Sequence, residues 1–554
     1  MPRDDHIDKP YLPNRKDFHL EKGTIVKSLM KKVFAAAAAI ATVFGLAATT
    51  VATANAADNA TLTVSTTDAK FAGKTVNAYK MFSATVSGDG KAVSYTLTDG
   101  WKKFFKDSTF VTGATDANVN DKANEYVSSL TGKEKDLVAF AAKASNWAQK
   151  NNITAATTTV STDATDGKYT ATFTGLDYGY YVVAVPGATL ANASGQYATL
   201  VSVDSTNVNT NIKGDLPTVD KKVQVGGTGK DATDAKIGDT LTFTLTSTIP
   251  DMSAYDTYTF NFKDTLSQGL TFGQVTSVTV EGVTDPLTVN TDYTVTTPTV
   301  SDNTLTVAMK DFKAKQQANA GKKITVTYTA TLNEKAVVGG HGNVNSATIQ
   351  YSNKPGIEGT GESEPSKVRV FTYGFTVDKY IRYKYDDTAT RLAGAEFTLA
   401  PKNGDAMSFV QVTAGSATEN AVYRVAKDDE TGTTTTITTP ANGKVVFQGL
   451  KNGEYTLTET KAPAGYNKLA SALGVKVDGL NDGTDTTDAT VHITYNNDNG
   501  SKYDQTASNG VIPVQNKSGV ILPGTGGMGT IAFTVIGVLV IALGVAWTLK
   551  RKNA

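Results

Sequence analysis

Little in this chain of 554 residues is equipped for catalysis by the usual side chains. Its four histidines, His6, His19, His341 and His492, stand singly and far apart, which argues against a histidine metal site or a catalytic triad. Cysteine is absent, so neither disulfides nor thiolate metal sites can brace the chain. Gly226-Gly227-Thr228-Gly229-Lys230 lacks the leading glycine of a phosphate loop and has Asp231 in place of the hydroxyl residue, so it reads as a turn. Asn481-Asp482-Gly483-Thr484-Asp485 does not complete a calcium loop. The segment that does invite chemistry is Leu522-Pro523-Gly524-Thr525-Gly526. Its proline fixes the backbone and its glycines allow close approach, which suits an extended peptide held in another protein's cleft.

The surroundings of that pentapeptide give it meaning. Residues 531–549 carry no charge, long enough at about 1.5 Å per residue to cross most of a bilayer core, and Lys550, Arg551 and Lys552 follow. Positive charge stays on the cytoplasmic side, so everything before the span is expected outside. At the other end, Met30-Lys31-Lys32, the Ala-rich run 33–48 and the small-x-small Ala54-Asn55-Ala56 read as a secretory signal peptide cleaved before Ala57. Pentapeptide, span and basic tail in that order closely resemble the sortase cell-wall sorting signal. The resemblance implies that a sortase cysteine attacks the carbonyl of Thr525, releases the peptide from Gly526 onward, and passes the acyl group to an amine.

Composition limits the rest. With 53 basic and 53 acidic side chains, no net field draws the chain toward nucleic acid or an anionic membrane surface. The 49 glycines, abundant Thr and Val and 19% charged residues describe a Thr-rich protein with apolar material for several cores. The expected class is all-β: tandem Ig-like β-sandwich domains, with a helical insertion in the first and a C-terminal transmembrane helix in the precursor. Polar, proline-marked breaks near Gly214-Asp215-Leu216-Pro217 and Glu362-Ser363-Glu364-Pro365-Ser366 divide the mature chain into 57–213, 214–367 and 368–521. An N-terminal extension with signal peptide, 1–56, precedes them, and the sorting signal, 522–554, follows.

Within these limits, period-two strands recur. The first domain has them at 60–64, 169–173, 180–185 and 208–212, and the chain's helical text lies at 117–150, where Tyr126, Leu130, Leu137, Phe140, Ala141 and Trp147 recur at near-helical spacing and read as core. The middle domain reads as strands throughout, at 241–245, 258–262, 324–328 and 347–351, which predicts an antiparallel sandwich. The third repeats that texture from 375–379 to 511–516, where Pro513 predicts an edge strand or a bulge.

Two segments resemble a known family. Gly453-Glu454-Tyr455-Thr456-Leu457-Thr458-Glu459-Thr460-Lys461-Ala462-Pro463-Ala464-Gly465-Tyr466 is similar to the E-box of collagen-adhesin B-type domains in backbone pilins. Residues 221–353 resemble the fimbrial isopeptide-formation domain, with Pro217-Thr218-Val219-Asp220-Lys221 at the start, Asp264-Thr265-Leu266-Ser267-Gln268-Gly269-Leu270 in the middle and Asn345-Ser346-Ala347 near the end. With the sorting signal, the resemblance covers most of the mature chain and points to the sortase-assembled major pilins of Gram-positive bacteria.

That family joins lysine to asparagine by internal amide bonds. Burial among apolar residues favours the neutral, nucleophilic lysine, and the same burial keeps a nearby carboxyl protonated so that it can assist the departure of ammonia. The resemblance implies Lys379, Glu459 and Asn516 for the third domain. For the middle domain it implies Lys221, Asp264 and Asn345, with Lys222 as rival nucleophile and Glu281 as rival acid; alternation allows only one of the two lysines inside. No comparable triad is expected in the first domain. The acceptor amine for Thr525 is assigned to Lys213, although Asn211-Ile212-Lys213-Gly214 stands where a Tyr-Pro-Lys-Asn type segment is usual, and Lys221 or Lys222 could exchange roles with it. The implied function is the major structural subunit of a covalent surface pilus, not an enzyme and without cofactor or metal. Implied partners are sortases, further copies of the chain, peptidoglycan and an accessory tip pilin. The alternative is a monomeric wall-anchored adhesin using the same domains as a stalk.

Overall fold

Alternation in sequence becomes alternation of faces. In the computed structural model, Ala60–Thr66 buries Ala60, Leu62 and Val64 while the residues between them turn outward. The structure describes residues 59–88, 90, 92–107, 111–190, 196–355, 358–381, 390–479, 488–496, 505–518, 537–545, 547–548 and 551. The predicted signal peptide and the 522–526 pentapeptide lie outside them. Residues 537–545 and 547–548, inside the predicted 531–549 span, are helical, and among the described residues no helix is long and apolar enough to cross a membrane.

The chain divides into two compact units, one of Met1–Ala232, Thr240–Thr331 and Val344–Arg369, the other of Thr233–Asp239, Leu332–Asn343 and Val370–Ala554. The break expected near Gly214–Pro217 falls inside the first. Two short pieces of the expected middle domain group with the second unit. There Ile237 N–H donates to Gly449 O at 3.0 Å. Gly449, at φ +85, makes room for it, since a Cβ would lie 2.6 Å from Ile237 Cδ1.

The first part of unit one sets a three-stranded sheet, Tyr169–Leu176, Ala60–Thr66 and Asn207–Asn211, beside a larger one whose path runs Val93–Leu97, Thr75–Val86, Gly179–Leu190, Gln196–Val203. Three helices cover the larger sheet's core. Val119–Ser129 and Glu134–Lys150 occupy the predicted helical text, divided at Gly132, whose φ of +75 ends the first of them. Phe140, Ala141 and Leu130 are buried, and Tyr126, Leu137 and Trp147 pack against the same cluster, as core. The sequence reading missed a third helix, Asp99–Asp107, although Trp101, Phe104 and Phe105 have i, i+3, i+4 spacing and are all buried.

The second part of unit one is a sandwich. One sheet has the order Thr228–Lys230, Asp220–Val225, Thr240–Thr248, Lys323–Leu332, Leu270–Val280. Facing residues come from Tyr293–Thr296, Thr304–Met309, Phe260–Leu266 and residues 344–352, paired antiparallel. "Strands throughout" needs correction here: Phe312–Gln316 is a short helix continued by a 3-10 turn at Gln317–Asn319, built from residues without β-branching. Phe312 stacks on Phe260 with centroids 4.6 Å apart. The strand expected from Tyr258 begins at Phe260.

Unit two has a sheet in which residues 370–381 pair antiparallel with Lys444–Leu450 and parallel with Val511–Asn516, and Ala421–Val425 pairs parallel with Lys444–Leu450. The parallel pairs depart from a purely antiparallel sandwich. Its other sheet runs Ile437–Thr438, Glu396–Pro401, Gly453–Lys461, Leu473–Asp478, His492–Tyr495, Gln505–Thr506. Val511–Asn516, which contains Pro513, takes its described ladder from one neighbour, consistent with an edge strand.

Candidate lysine-asparagine sites

Strand parity decides which charged side chains enter the two cores. Along Asp220–Val225, Lys221 and Val223 face inward while Lys222 faces out, where its Nζ donates to Asp231 Oδ1 at 2.5 Å and lies 3.3 Å from Asp220 Oδ1. Along Phe260–Leu266 the inward set is Phe260, Phe262, Asp264 and Leu266. Asn345 shares its inward face with Ala347, Ile349 and Tyr351. Asp264 sits opposite Ala347 and Leu266 opposite Asn345, so Asp264 and Asn345 are diagonal neighbours on one face. Glu281, the rival acid, is exposed and accepts from Lys323 N–H at 3.1 Å.

Lys221, Asp264 and Asn345 are each 0% exposed. Lys221 Nζ donates to Asp264 Oδ2 at 2.5 Å and to Tyr328 Oη at 2.9 Å, and Asn345 Nδ2 donates to the same Tyr328 oxygen at 2.7 Å. Phe243 and Tyr328 stack with centroids 5.3 Å apart, and each ring lies 5.1 Å from Lys221 Nζ. Burial pulls the Lys221 ammonium down to about 8 against the opposing pull of Asp264, so a neutral amine is within reach near neutral pH. Asp264 Oδ1 and Asn345 Oδ1 are buried with no hydrogen-bond donor.

The second cluster obeys the same parity. Phe375, Val377 and Lys379 face one core, as do Tyr455, Leu457 and Glu459, and Ile512, Val514 and Asn516. Lys379 Nζ donates to Asn516 Oδ1 and is 3.0 Å from Glu459 Oε1, which also accepts from Asn516 Nδ2 at 3.0 Å. Glu459 Oε2 accepts from Leu469 N–H at 2.8 Å. The Phe397 ring lies 5.5 Å from Lys379 Nζ. On the opposite face of the same strand Asp378 is buried and paired with Arg391 Nε at 2.6 Å, an ion pair the sequence reading did not anticipate.

Lys213 belongs to neither cluster. It is exposed between Asn207–Asn211 and Gly214–Asp215, where the chain passes from one sheet to the other. Its neighbours hold it in place: Ile212 is buried and its N–H donates to Ser65 O at 2.9 Å, and Gly214 lies so close to Tyr197 that a Cβ would be 2.6 Å from the ring. Tyr197 Oη donates to Asn211 O at 2.9 Å. Among the described residues of 59–213 no lysine is buried. Tyr328 is the site residue that sequence reasoning passed over; its signal was a hydroxyl on the otherwise apolar face of Ile324, Val326 and Ala330.

Each cluster places an amine, an amide and a carboxyl together in a dry core. Such an arrangement can exchange the amide nitrogen of asparagine for that of lysine with loss of ammonia.

Family models match parts of both clusters: Asp264 and Asn345 fall within one matched stretch, Lys379 and Glu459 within the other, and Lys221 and Asn516 lie outside them. Residues 237–355 match the model of the Gram-positive pilin backbone subunit 2, Cna-B-like domain, and residues 379–492 match that of the SpaA prealbumin-like fold domain. The Cna-B-like description thus falls on the middle stretch and the prealbumin-like one on the third. A trypsin-resistant surface T6 protein of Streptococcus pyogenes serotype M6 is 26% identical over 263 residues, which are 46% of this chain and 44% of that one. The match therefore spans about half the length of that relative. Among solved structures, the T6 backbone pilin of serotype M6 Streptococcus pyogenes aligns at 18% identity and a TM-score of 0.45 over 84% of this chain and 99% of that one. The full-length major pilin SpaD of Corynebacterium diphtheriae aligns at 20% and 0.39 over 83% and 98%.

Proposed function

We propose that this chain, two stretches of which match a pilin-backbone and a prealbumin-like domain model, is the backbone subunit of a covalent pilus on a Gram-positive cell wall. The observation that carries the reading is the pair of buried lysine-acid-asparagine clusters, whose acids, Asp264 and Glu459, fall in the two matched stretches. In each, lysine Nζ attacks asparagine Cγ, the Cγ–Nδ2 bond breaks, and ammonia leaves with the displaced proton. No cofactor is consumed, and each bond forms once, so the protein is a structural element rather than an enzyme with turnover.

Assembly uses other residues. A sortase cleaves between Thr525 and Gly526, and the acyl group passes to Lys213 of another copy, which the exposure of Lys213 permits. The basal copy passes to peptidoglycan, and an accessory pilin can cap the fibre. The three stretches 57–213, 214–367 and 368–521 act as successive modules of the subunit.

Intact-mass measurement of residues 57–521 tests the internal chemistry. The expected mass is that of the sequence less two ammonias, and a mass equal to the plain sequence overturns it. Polymerisation is read separately: Lys213→Arg should abolish the high-molecular-weight ladder on a denaturing gel, and an unchanged ladder would move the linkage to another lysine.

A further inference from the structure

The two clusters differ in one respect that their acids explain. Glu459 has the reach to touch both reacting nitrogens, at 3.0 Å from Lys379 Nζ and 3.0 Å from Asn516 Nδ2. Asp264 is one methylene shorter; it holds Lys221 Nζ at 2.5 Å, and Asn345 Nδ2 makes its hydrogen bond elsewhere. The hydroxyl of Tyr328 fills the gap, accepting from Lys221 Nζ at 2.9 Å and from Asn345 Nδ2 at 2.7 Å.

We propose that Tyr328 is a catalytic residue of the Lys221–Asn345 reaction, a proton shuttle between the attacking and the leaving nitrogen. The inference rests on the proposed internal bond and assigns to Tyr328 what Glu459 does alone in the other unit. An amide nitrogen is a poor base because its lone pair is delocalised into the carbonyl. Once neutral Lys221 Nζ has added to Asn345 Cγ, that carbon is tetrahedral and Nδ2 carries an amine lone pair. The added nitrogen then gives one proton to Tyr328 Oη while the hydroxyl gives its own to Nδ2. The Cγ–Nδ2 bond breaks, the carbonyl re-forms, one ammonia leaves, and the phenol is regenerated. Burial and the charge of Asp264 hold the Tyr328 hydroxyl well above its ordinary value, so the two transfers run together rather than through a free phenolate.

The position of Tyr328 supports this role. It lies on Lys323–Leu332, in the same sheet as Lys221, and reaches toward Asn345 on the facing sheet. Stacking on Phe243 fixes the ring, so the hydroxyl is preorganised rather than found by search.

The test follows ammonia loss by intact mass in residues 57–521 of freshly synthesised chain refolded from denaturant, with Lys221→Ala to identify the middle bond. Tyr328→Phe keeps the stacked ring and should slow that bond on the order of 100-fold, the scale of one general acid-base group, while the Lys379–Asn516 bond forms at its usual rate. Adding Asp264→Glu to Tyr328→Phe should restore the reaction, because a longer carboxylate reaches both nitrogens; a role in packing alone would not be rescued in this way. Bond formation by Tyr328→Phe at the wild-type rate, or failure of the longer acid to rescue, overturns the assignment of Tyr328. Absence of the middle bond from the wild-type chain overturns instead the reading beneath it. Should Tyr328→Phe not fold, the wild-type chain decides: ammonia loss at equal rates in light and heavy water excludes a shuttle, and a slower reaction in heavy water supports it.

Discussion

The two buried clusters contain the same chemistry placed differently. In the first unit lysine and asparagine come from opposite sheets, with the acid beside the asparagine; in the second, lysine and asparagine lie on neighbouring parallel strands, with the acid facing them from the other sheet. The first bond would therefore tie one sheet to the other, and the second would tie the strand at 370–381 to the final strand within one sheet. The longer acid occurs where it must reach two partners across the core. The shorter acid occurs where a tyrosine completes the circuit. A dry core with an amine and an amide in contact is the shared requirement, and the acid adapts to the geometry around it.

The sharpest way to break the comparison is to remove an acid. Glu459→Ala should abolish the second bond, leave Lys379 buried without a carboxylate, and lower stability by about 3–5 kcal/mol, the scale for an orphaned buried charge. Denaturant unfolding reads the stability and intact mass reads the missing bond; a variant of wild-type mass loss would show that the acid is dispensable. Asp264→Ala should do the same in the first unit, with Tyr328 retained as a partner to soften the loss. Equal losses in the two units would argue that Tyr328 contributes nothing.

A middle-sized effect concerns pH. In an Asn345→Ala variant, which cannot form the bond, Lys221 keeps a folded value near 8 against an ordinary 10.5. Between those values the unfolded chain holds the extra proton, so stability should rise with pH from about 8 to 10.5 and be lost as pH falls through 8. In the linked chain the lysine is an amide and that dependence should vanish. Thermal melts of the two proteins across the window measure the difference, and parallel profiles would contradict it. The smallest effect is expected from Lys222→Ala: its ion pairs with Asp220 and Asp231 are partly exposed, so stability should change by no more than about 1 kcal/mol with the mass deficit intact.

Much of this was legible because strand alternation is written in the sequence. Lys379, Glu459 and Asn516 each stand at inward parity among named apolar neighbours, and the structure brings all three together. The choice between Lys221 and Lys222 was not legible, since adjacent residues fit the same motif until pairing with Thr240–Thr248 sets which face is buried. Tyr328 was hidden for a related reason: its contacts cross the sandwich, and no local period announces them. The helix Asp99–Asp107 carried a readable signal in Trp101, Phe104 and Phe105, but it is short and sits among strand-like text. The parallel pairing of Ala60–Thr66 with Asn207–Asn211 joins segments too far apart in sequence for any window to link.

The parallel pairing of residues 370–381 with Val511–Asn516 has one further result. Lys379 and Asn516 lie 137 residues apart in the chain yet side by side in the sheet. Were they joined, a pull entering along the strand at Lys379 would leave through Asn516 across a single amide, and the residues between would form a closed loop outside the line of tension. Their hydrogen bonds would need only to hold the shape of the domain, because the load would pass through one covalent bond.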